Sequence, residues 1–452
     1  MARALAPALT LLVACADASV LVQVASDRPV GPGQVGGLDA ICVAAADDDP
    51  AGRHHGAVTR LVGAFSSLPQ TLRVSAAEAS AARVWAVGYS GGVPAARASA
   101  RTDFEDDLTL RLDRCGAGRA GPPTARPQLA GPADAVLAPL LGRTGWQVLA
   151  VGQTSAELLD VVDGAWVRTP APAPPGPAVR TVVVVDLDGD CDDDVVVVDP
   201  SAPPALWLVE GSEVSVAGSL GAGAAAAVAA ADVDRDGDVD LVTGAGADLA
   251  LHRNDGAGRF ALVDGAIITA GLVTDVRTLA SGDLDGDGSP DLVVGQAAAP
   301  IRALFGDGAG AGTFLAAALA LPEVALTVTS LVLADTDGDL DPDLWVGLAA
   351  APIRLYGNRA GLFDDQSFAL LPQPAPTARA LAAGSWDDAC APDAVLASDG
   401  GSTLLRGGGD GGRLISAGSG PAGGSVVLVD LDDDGAGDVV IAGAAGVAWL
   451  AP

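Results

Sequence analysis

The sequence predicts an all-β chain: a seven-bladed β-propeller preceded by a small β-sandwich-like domain. Three observations predict it. An acidic segment recurs through the last two thirds of the 452 residues. Its copies start about 45–52 residues apart, the length of a blade of four short strands. A second, glycine-rich segment recurs in phase with the first.

The acidic segment reads DLDGDCDDDVVVVD from Asp186, DVDRDGDVDLVTG from Asp232 and DLDGDGSPDLVVG from Asp283. It continues as DTDGDLDPDLWVG from Asp335 and DLDDDGAGDVVIAG from Asp430. Each copy has Asp at positions 1, 3, 5 and 9, followed by a short apolar run. A decayed copy, SWDDACAPDAVLA from Ser385, keeps acid at only two of those positions, Asp387 and Asp393. The companion segment starts at Leu251, Leu304, Leu355 and Leu404 and reads as a strand, a Gly/Asn turn and a new strand. One period behind Asp186 lies GRTGWQVLAVG, residues 142–152, with the apolar run and no acids; it is taken as a degenerate first blade. The last blade lacks a fourth strand, so a strand from ahead of blade one, near residues 134–140, is expected to close the ring and cover its edge. The proline-rich stretch 170–177 is expected as a long loop in the first blade.

Alternate residues of an extended turn point the same way, so acids at positions 1, 3 and 5 can converge on one ion. Hard divalent cations want oxygen ligands, and calcium accepts six to eight. Gly at position 6 permits the sharp turn, the carbonyl of position 7 can add an oxygen, and Asp at position 9 completes the cage. Gly237, Gly288 and Gly435 hold position 6 in three copies. Cys191 and Leu340 hold it in two others, whose loops should be strained or bind more weakly. An EF-hand would need Glu at position 12 and flanking helices. Position 12 is Val197, Thr243, Val294, Val346 and Ile441, in strand-like surroundings, which excludes that reading.

On these loops the chain resembles the FG-GAP/VCBS repeat proteins, whose calcium loops also occur in integrin α-subunit propellers. The resemblance covers roughly residues 130–452 and implies a seven-bladed propeller with calcium between the first two strands of a blade. It implies metal ligands at Asp186, Asp188, Asp190 and Asp194, and at Asp232, Asp234, Asp236 and Asp240. The further sets are Asp283, Asp285, Asp287 and Asp291; Asp335, Asp337, Asp339 and Asp343; and Asp430, Asp432, Asp434 and Asp438. No calcium is expected in the decayed loop, and calcium elsewhere is expected to staple the blades, because uncompensated carboxylates would hold the loop open.

Half the residues are hydrophobic, yet the net charge is −32. Such a chain repels nucleic acid, and with 4% aromatics it offers few stacking surfaces. There is no lysine, hence no Schiff-base chemistry, and three histidines and two tyrosines form no catalytic set in the sequence. An interaction or scaffolding module is therefore expected, with an unidentified protein or carbohydrate ligand on the face away from the calcium loops, acting as a monomer. A polysaccharide lyase or hydrolase, or a purely structural envelope protein, are the alternatives.

Residues 1–18 read as a signal peptide: Arg3, an apolar run too short to span a bilayer, then Cys15. Leu12-Val13-Ala14-Cys15 resembles the bacterial lipobox, which would lipidate Cys15; Ala16-Asp17-Ala18 offers a competing ordinary cleavage site. Either implies export, to the outer membrane or cell surface by a lipid anchor, otherwise to the periplasm or medium. The even number of remaining cysteines suits an oxidising compartment. Cys42 and Cys115 are expected to pair, while Cys191 with Cys390 is left open. Residues 19–120, with apolar runs at 20–24, 72–74, 84–87 and 108–112, are assigned to the sandwich-like domain, 121–132 to a linker and 133–452 to the propeller. His54 and His55 read as solvated loop, His252 as structural and most tryptophans as core; Trp386, in the decayed loop, is the one candidate for an exposed ligand platform.

Overall fold

The computed structural model describes residues 134–451 apart from 143–144, 163–164, 222, 269–270, 308–312, 322–325, 338, 340, 385, 387–392, 408–412 and 432–436. Ahead of residue 134 it describes the strands alone. Apart from Thr124–Ala125, those strands form two four-stranded sheets. One contains Ser19–Ala25, Gln70–Ser75 and Leu108–Arg111; the other contains Ala40–Asp47, His55–Val62, Ala82–Ser90 and Val93–Thr102.

From residue 136 onward the chain is a seven-bladed propeller. Blade one runs from Val136–Gly142 to Ala165–Ala171 and has the strand run of its neighbours without their acid loop. Blades two to six begin at Thr181–Val185, Ala227–Ala231, Val276–Gly282, Val328–Ala334 and Ala380–Gly384, and blade seven at Ser425–Val429. These seven innermost strands surround a central channel. Proline-rich residues 172–177 link blade one to blade two rather than lying within blade one.

Closure differs from the expectation. Val136–Gly142 is the inner strand of blade one, and the ring is closed by Thr124–Ala125, which pairs antiparallel with Leu450 and Ala451 of blade seven. The stretch read as a linker thus contains the closing strand. Two residues suffice because they only need to satisfy the outer backbone edge of the last blade.

Each blade is antiparallel, so its apolar residues alternate between two faces, and each face packs on a neighbouring blade. One cluster lies at each junction. Leu149 and Trp207 meet between blades one and two, Leu206 and Leu241 between two and three, and Leu251 and Phe314 between three and four. Tyr356, Trp345 and Trp386 mark the next three junctions, and Trp449 meets Leu137 where blade seven returns to blade one. Burying one such aliphatic or aromatic side chain contributes about 1.5–3 kcal/mol. Where a glycine ends the apolar run it has a packing reason. A Cβ on Gly244 would meet Val276 at 2.6 Å, and one on Gly295 would meet Val328 at 2.8 Å, in both cases on the next blade's inner strand.

The N-terminal sheets touch this ring through Arg83, whose guanidinium lies against Gly145 of blade one, and through Trp85. Trp85 is fully buried in the cluster of blades two and three, and its indole N–H donates to the carbonyl of Cys191 at 2.9 Å.

Candidate metal centres

Each acid loop forms the corner between the first and second strands of its blade. Two positions shape the turn through backbone hydrogen bonds. The position-1 carboxylate accepts on both oxygens: Asp283 from Gly286 (2.9 Å) and Gly288 (2.9 Å), Asp232 from Asp236 (3.1 Å) and Gly237 (3.0 Å), Asp186 from Gly189 (2.8 Å) and Cys191 (3.2 Å). These bonds coil the chain so tightly that position 6 takes a positive φ, 100° at Gly237 and 82° at Gly288. Cys191 does the same at 66° with a side chain present, the strained turn expected for blade two. Leu340 lies outside the described residues.

Position 9 has a second role that the sequence reading did not separate from ligation. In every acid loop its Oδ2 accepts the N–H of position 2: Leu187, Val233, Leu284, Thr336 and Leu431 donate to Asp194, Asp240, Asp291, Asp343 and Asp438 at 2.8–3.2 Å. Its Oδ1 reaches sideways to the third strand. Val209, Asn254, Gly306 and Asn358 donate their backbone N–H to Asp194, Asp240, Asp291 and Asp343, all at 2.8 Å. The carboxylate thus clamps three strands of its blade. Asp393 of the decayed loop does the same, accepting from Trp386 and Gly407 at 2.9 Å each.

Carboxylate oxygens come within 4.8 Å of one another in four blades. The groups are Asp186, Asp188 and Asp194; Asp232, Asp234 and Asp236; Asp283, Asp285 and Asp291; and Asp335, Asp337 and Asp339. Asp287 lies outside its blade's triad, and so do Asp240 and Asp343. Asp190 joins Asp188 and Glu210, a residue absent from the predicted ligand sets. Glu210 sits at the end of the third strand, too far along the chain for a loop motif to reveal it. Of the seventh blade's set, Asp430 and Asp438 are described; Asp432 and Asp434 lie outside the described residues.

The donor set fits a hard cation. Oδ1 of Asp188 and Oδ1 of Asp234 are buried without a hydrogen-bond donor among the described residues. A buried carboxylate oxygen facing other carboxylates is costly unless a cation meets it. Burial first, and neighbouring carboxylates after it, push these acids up: Asp291 to about 8, Asp240 and Asp190 to about 7, Asp283 and Asp343 to about 6. Asp194 is raised well above the usual range for the same reasons. Blade three is partly compensated from within, since Arg253 pairs with Oδ2 of Asp234 at 2.9 Å.

Two asparagines join neighbouring loops. Asn254 Nδ2 of blade three donates to the Leu187 carbonyl in the loop of blade two at 2.9 Å, and Asn358 of blade five does the same to Leu284 of blade four at 2.9 Å. Both look like ordinary turn residues in sequence. Trp386 corrects an expectation: it is 1% exposed, packed between blades six and seven, with the Arg406 guanidinium 5.2 Å from its ring centroid. Asp393 holds its backbone inward, so it is core and offers no platform. His252 is buried against Thr243 Oγ1 at 3.1 Å, as a structural residue would be. Cys191 is disulfide-bonded. Cys15, Cys115, Cys390 and the side chain of Cys42 lie outside the described residues, as does His54.

A ring of seven antiparallel blades, five of them with acid corners, defines a repeat propeller. The family profile described as "FG-GAP-like repeat" matches residues 186–243, 232–294 and 283–346. Residues 186–346 are therefore FG-GAP-like repeats within the seven-bladed propeller. A search of the curated proteins finds no match. Among solved structures, BBS1N, crystallised in complex with ARL6DN and soaked with lead, is similar at 10% identity and a TM-score of 0.46, over 72% of this chain and 93% of that one. Raptor of Chaetomium thermophilum is similar at 11% identity and a TM-score of 0.48, over 74% of this chain and 29% of that one.

Proposed function

We propose that the chain is an exported, calcium-loaded interaction or scaffolding module in which the ions staple blades. The reading rests on repetition. The same acidic corner recurs in four described blades, whereas a catalytic centre needs one constellation of distinct groups. Each ion would be held by the acid triad of its loop, with Asp190 and Glu210 beside it in blade two. Calcium in this role neutralises carboxylates that otherwise repel, so binding energy becomes folding energy. The partner is a protein or a carbohydrate rather than nucleic acid, and the propeller works as a monomer at the cell surface or in the periplasm. The N-terminal residues 19–120 form its companion domain, and Cys15 carries the lipid anchor.

Calorimetric titration of the full chain, with thermal unfolding in calcium and in chelator, tests this. About five ions and a large fall in Tm on chelation are expected, since calcium at a hundredfold its Kd contributes about 2.7 kcal/mol per site. Indifference to chelator overturns the stapling role. A glycan array probed in calcium then separates a binding module, which gives specific signals, from a silent envelope component.

A further inference from the structure

The central channel carries a charge pattern opposite to that of the rest of the molecule. Its space of about 450 Å³ is lined by the seven inner strands, and its charged lining residues are Arg180, Arg277 and Arg379, with no carboxylate among the residues that line it. In a chain of net charge −32 this is a local inversion. All three arginines occupy one repeat position, six residues ahead of position 1 of the loop, in blades two, four and six. The same position in blades three, five and seven is Ala226, Thr329 and Gly424, which leave the space between the guanidinium groups open. An inner strand ends at its acid loop, so residues at its start lie at the opposite mouth of the channel.

The arginines are only partly engaged. Arg277 pairs with Asp275 at 2.7 Å and Arg379 with Asp399 at 2.7 Å, both on half-exposed or exposed rim carboxylates. Nε of Arg277 is buried with no hydrogen-bond partner among the described residues. Arg180 has no ion pair there; nearby Asp199 instead accepts from Ser201 and from the backbone N–H of Ala178. Burial, and then the charge of Arg277, lower the pKa of Arg180, so two guanidinium groups face the same space.

We propose that this mouth, on the face away from the acid loops, binds a small polyanion bearing two or three carboxylate or sulfate groups. A guanidinium presents a planar fork of donors matched to oxyanions. The volume falls within the range of small-molecule sites, about 300–1,000 Å³. The proposal names the ligand chemistry of the interaction face and rests on the module reading for its biological sense.

The test is calorimetric titration of the full chain, in calcium, with benzene-1,3,5-tricarboxylate and separately with inorganic sulfate. One saturable, salt-sensitive site per chain is expected for at least one probe; the tricarboxylate alone marks a carboxylate ligand, sulfate alone a tetrahedral one. Arg180→Gln should weaken binding about tenfold, and the triple variant Arg180→Gln/Arg277→Gln/Arg379→Gln should abolish it. Asp399→Asn, which frees Arg379, should tighten binding several-fold. No saturable binding of either probe, or binding unchanged by Arg180→Gln and the triple variant, overturns the site. Array binding that survives the triple variant would overturn it too while leaving the module standing. Anion titration that persists with a silent array would sink the module alone.

Discussion

The loops of blades four and six share the aspartates at positions 3 and 9 and differ at positions 1 and 5. Blade four has Asp283, Asp285, Asp287 and Asp291; blade six has Ser385, Asp387, Ala389 and Asp393. Yet Asp291 and Asp393 make the same two backbone hydrogen bonds, to position 2 and to the third strand. The acid at position 9 is the one the blade needs in order to fold, and the acids lost at positions 1 and 5 are ones an ion needs. Position 9 is thus a structural residue that also stands beside a metal centre, and a loop can lose the centre and keep the blade.

The largest effect should appear when both loop types are compared across pH in chelator. Acids whose folded pKa is raised above the unfolded value, about 4, bind more protons folded than unfolded between the two. Their protonated form favours the native state, so the metal-free chain should lose stability as pH climbs through about 6 to 8, where Asp283, Asp343, Asp240, Asp190 and Asp291 ionise. Calcium should reverse the slope, because protons then compete with the ion. Tm measured from about pH 5 to 9 with and without calcium reads both slopes; equal slopes would refute metal binding at these acids.

Next in size are the clamps. Asp393→Ala and Asp291→Ala should each cost about 3–5 kcal/mol in urea unfolding, since two charge-assisted hydrogen bonds are lost and two buried N–H groups are orphaned. The cost at Asp393 should not depend on calcium; the cost at Asp291 should grow with it. A loss below about 1 kcal/mol at Asp393 would break the comparison.

A smaller, sign-changing effect is expected from Asp285→Asn. Asp285 is raised by burial and by the charge of Asp287. Removing its charge should stabilise the chelated chain by about 1 kcal/mol and destabilise the calcium-loaded one. The smallest effect is expected from Ser385→Asp with Ala389→Asp, which restores the acid pattern in blade six. One additional ion per chain by elemental analysis, with a Tm gain of a few degrees that chelator removes, would show that the clamp alone preserved the site's frame.

The repeat made the blades legible, including blade one, whose apolar run around Trp146 survives without acids. Ring closure was not legible, because Thr124–Ala125 is too short for any period to register and lies among prolines. Position 9 could not be resolved in sequence, since an aspartate reads the same whether it accepts an N–H or an ion. Asn254 and Asn358 were hidden by their resemblance to turn residues, although their amides reach the preceding blade. Trp386 was misread because its loop has lost two of its four acids, while its backbone is still drawn inward by Asp393.

Closure by Thr124 and Ala125 sets an order of events. Their partners Leu450 and Ala451 are synthesised after all seven inner strands, so the strand that seals the ring waits while the blades are made. Until then the outer edge of blade seven has no strand beside it, and the apolar faces that bring Leu137 and Trp449 together stay open to solvent. The nascent chain is therefore sticky at both ends of an otherwise finished arc, and a single late step turns an aggregation-prone intermediate into a closed body.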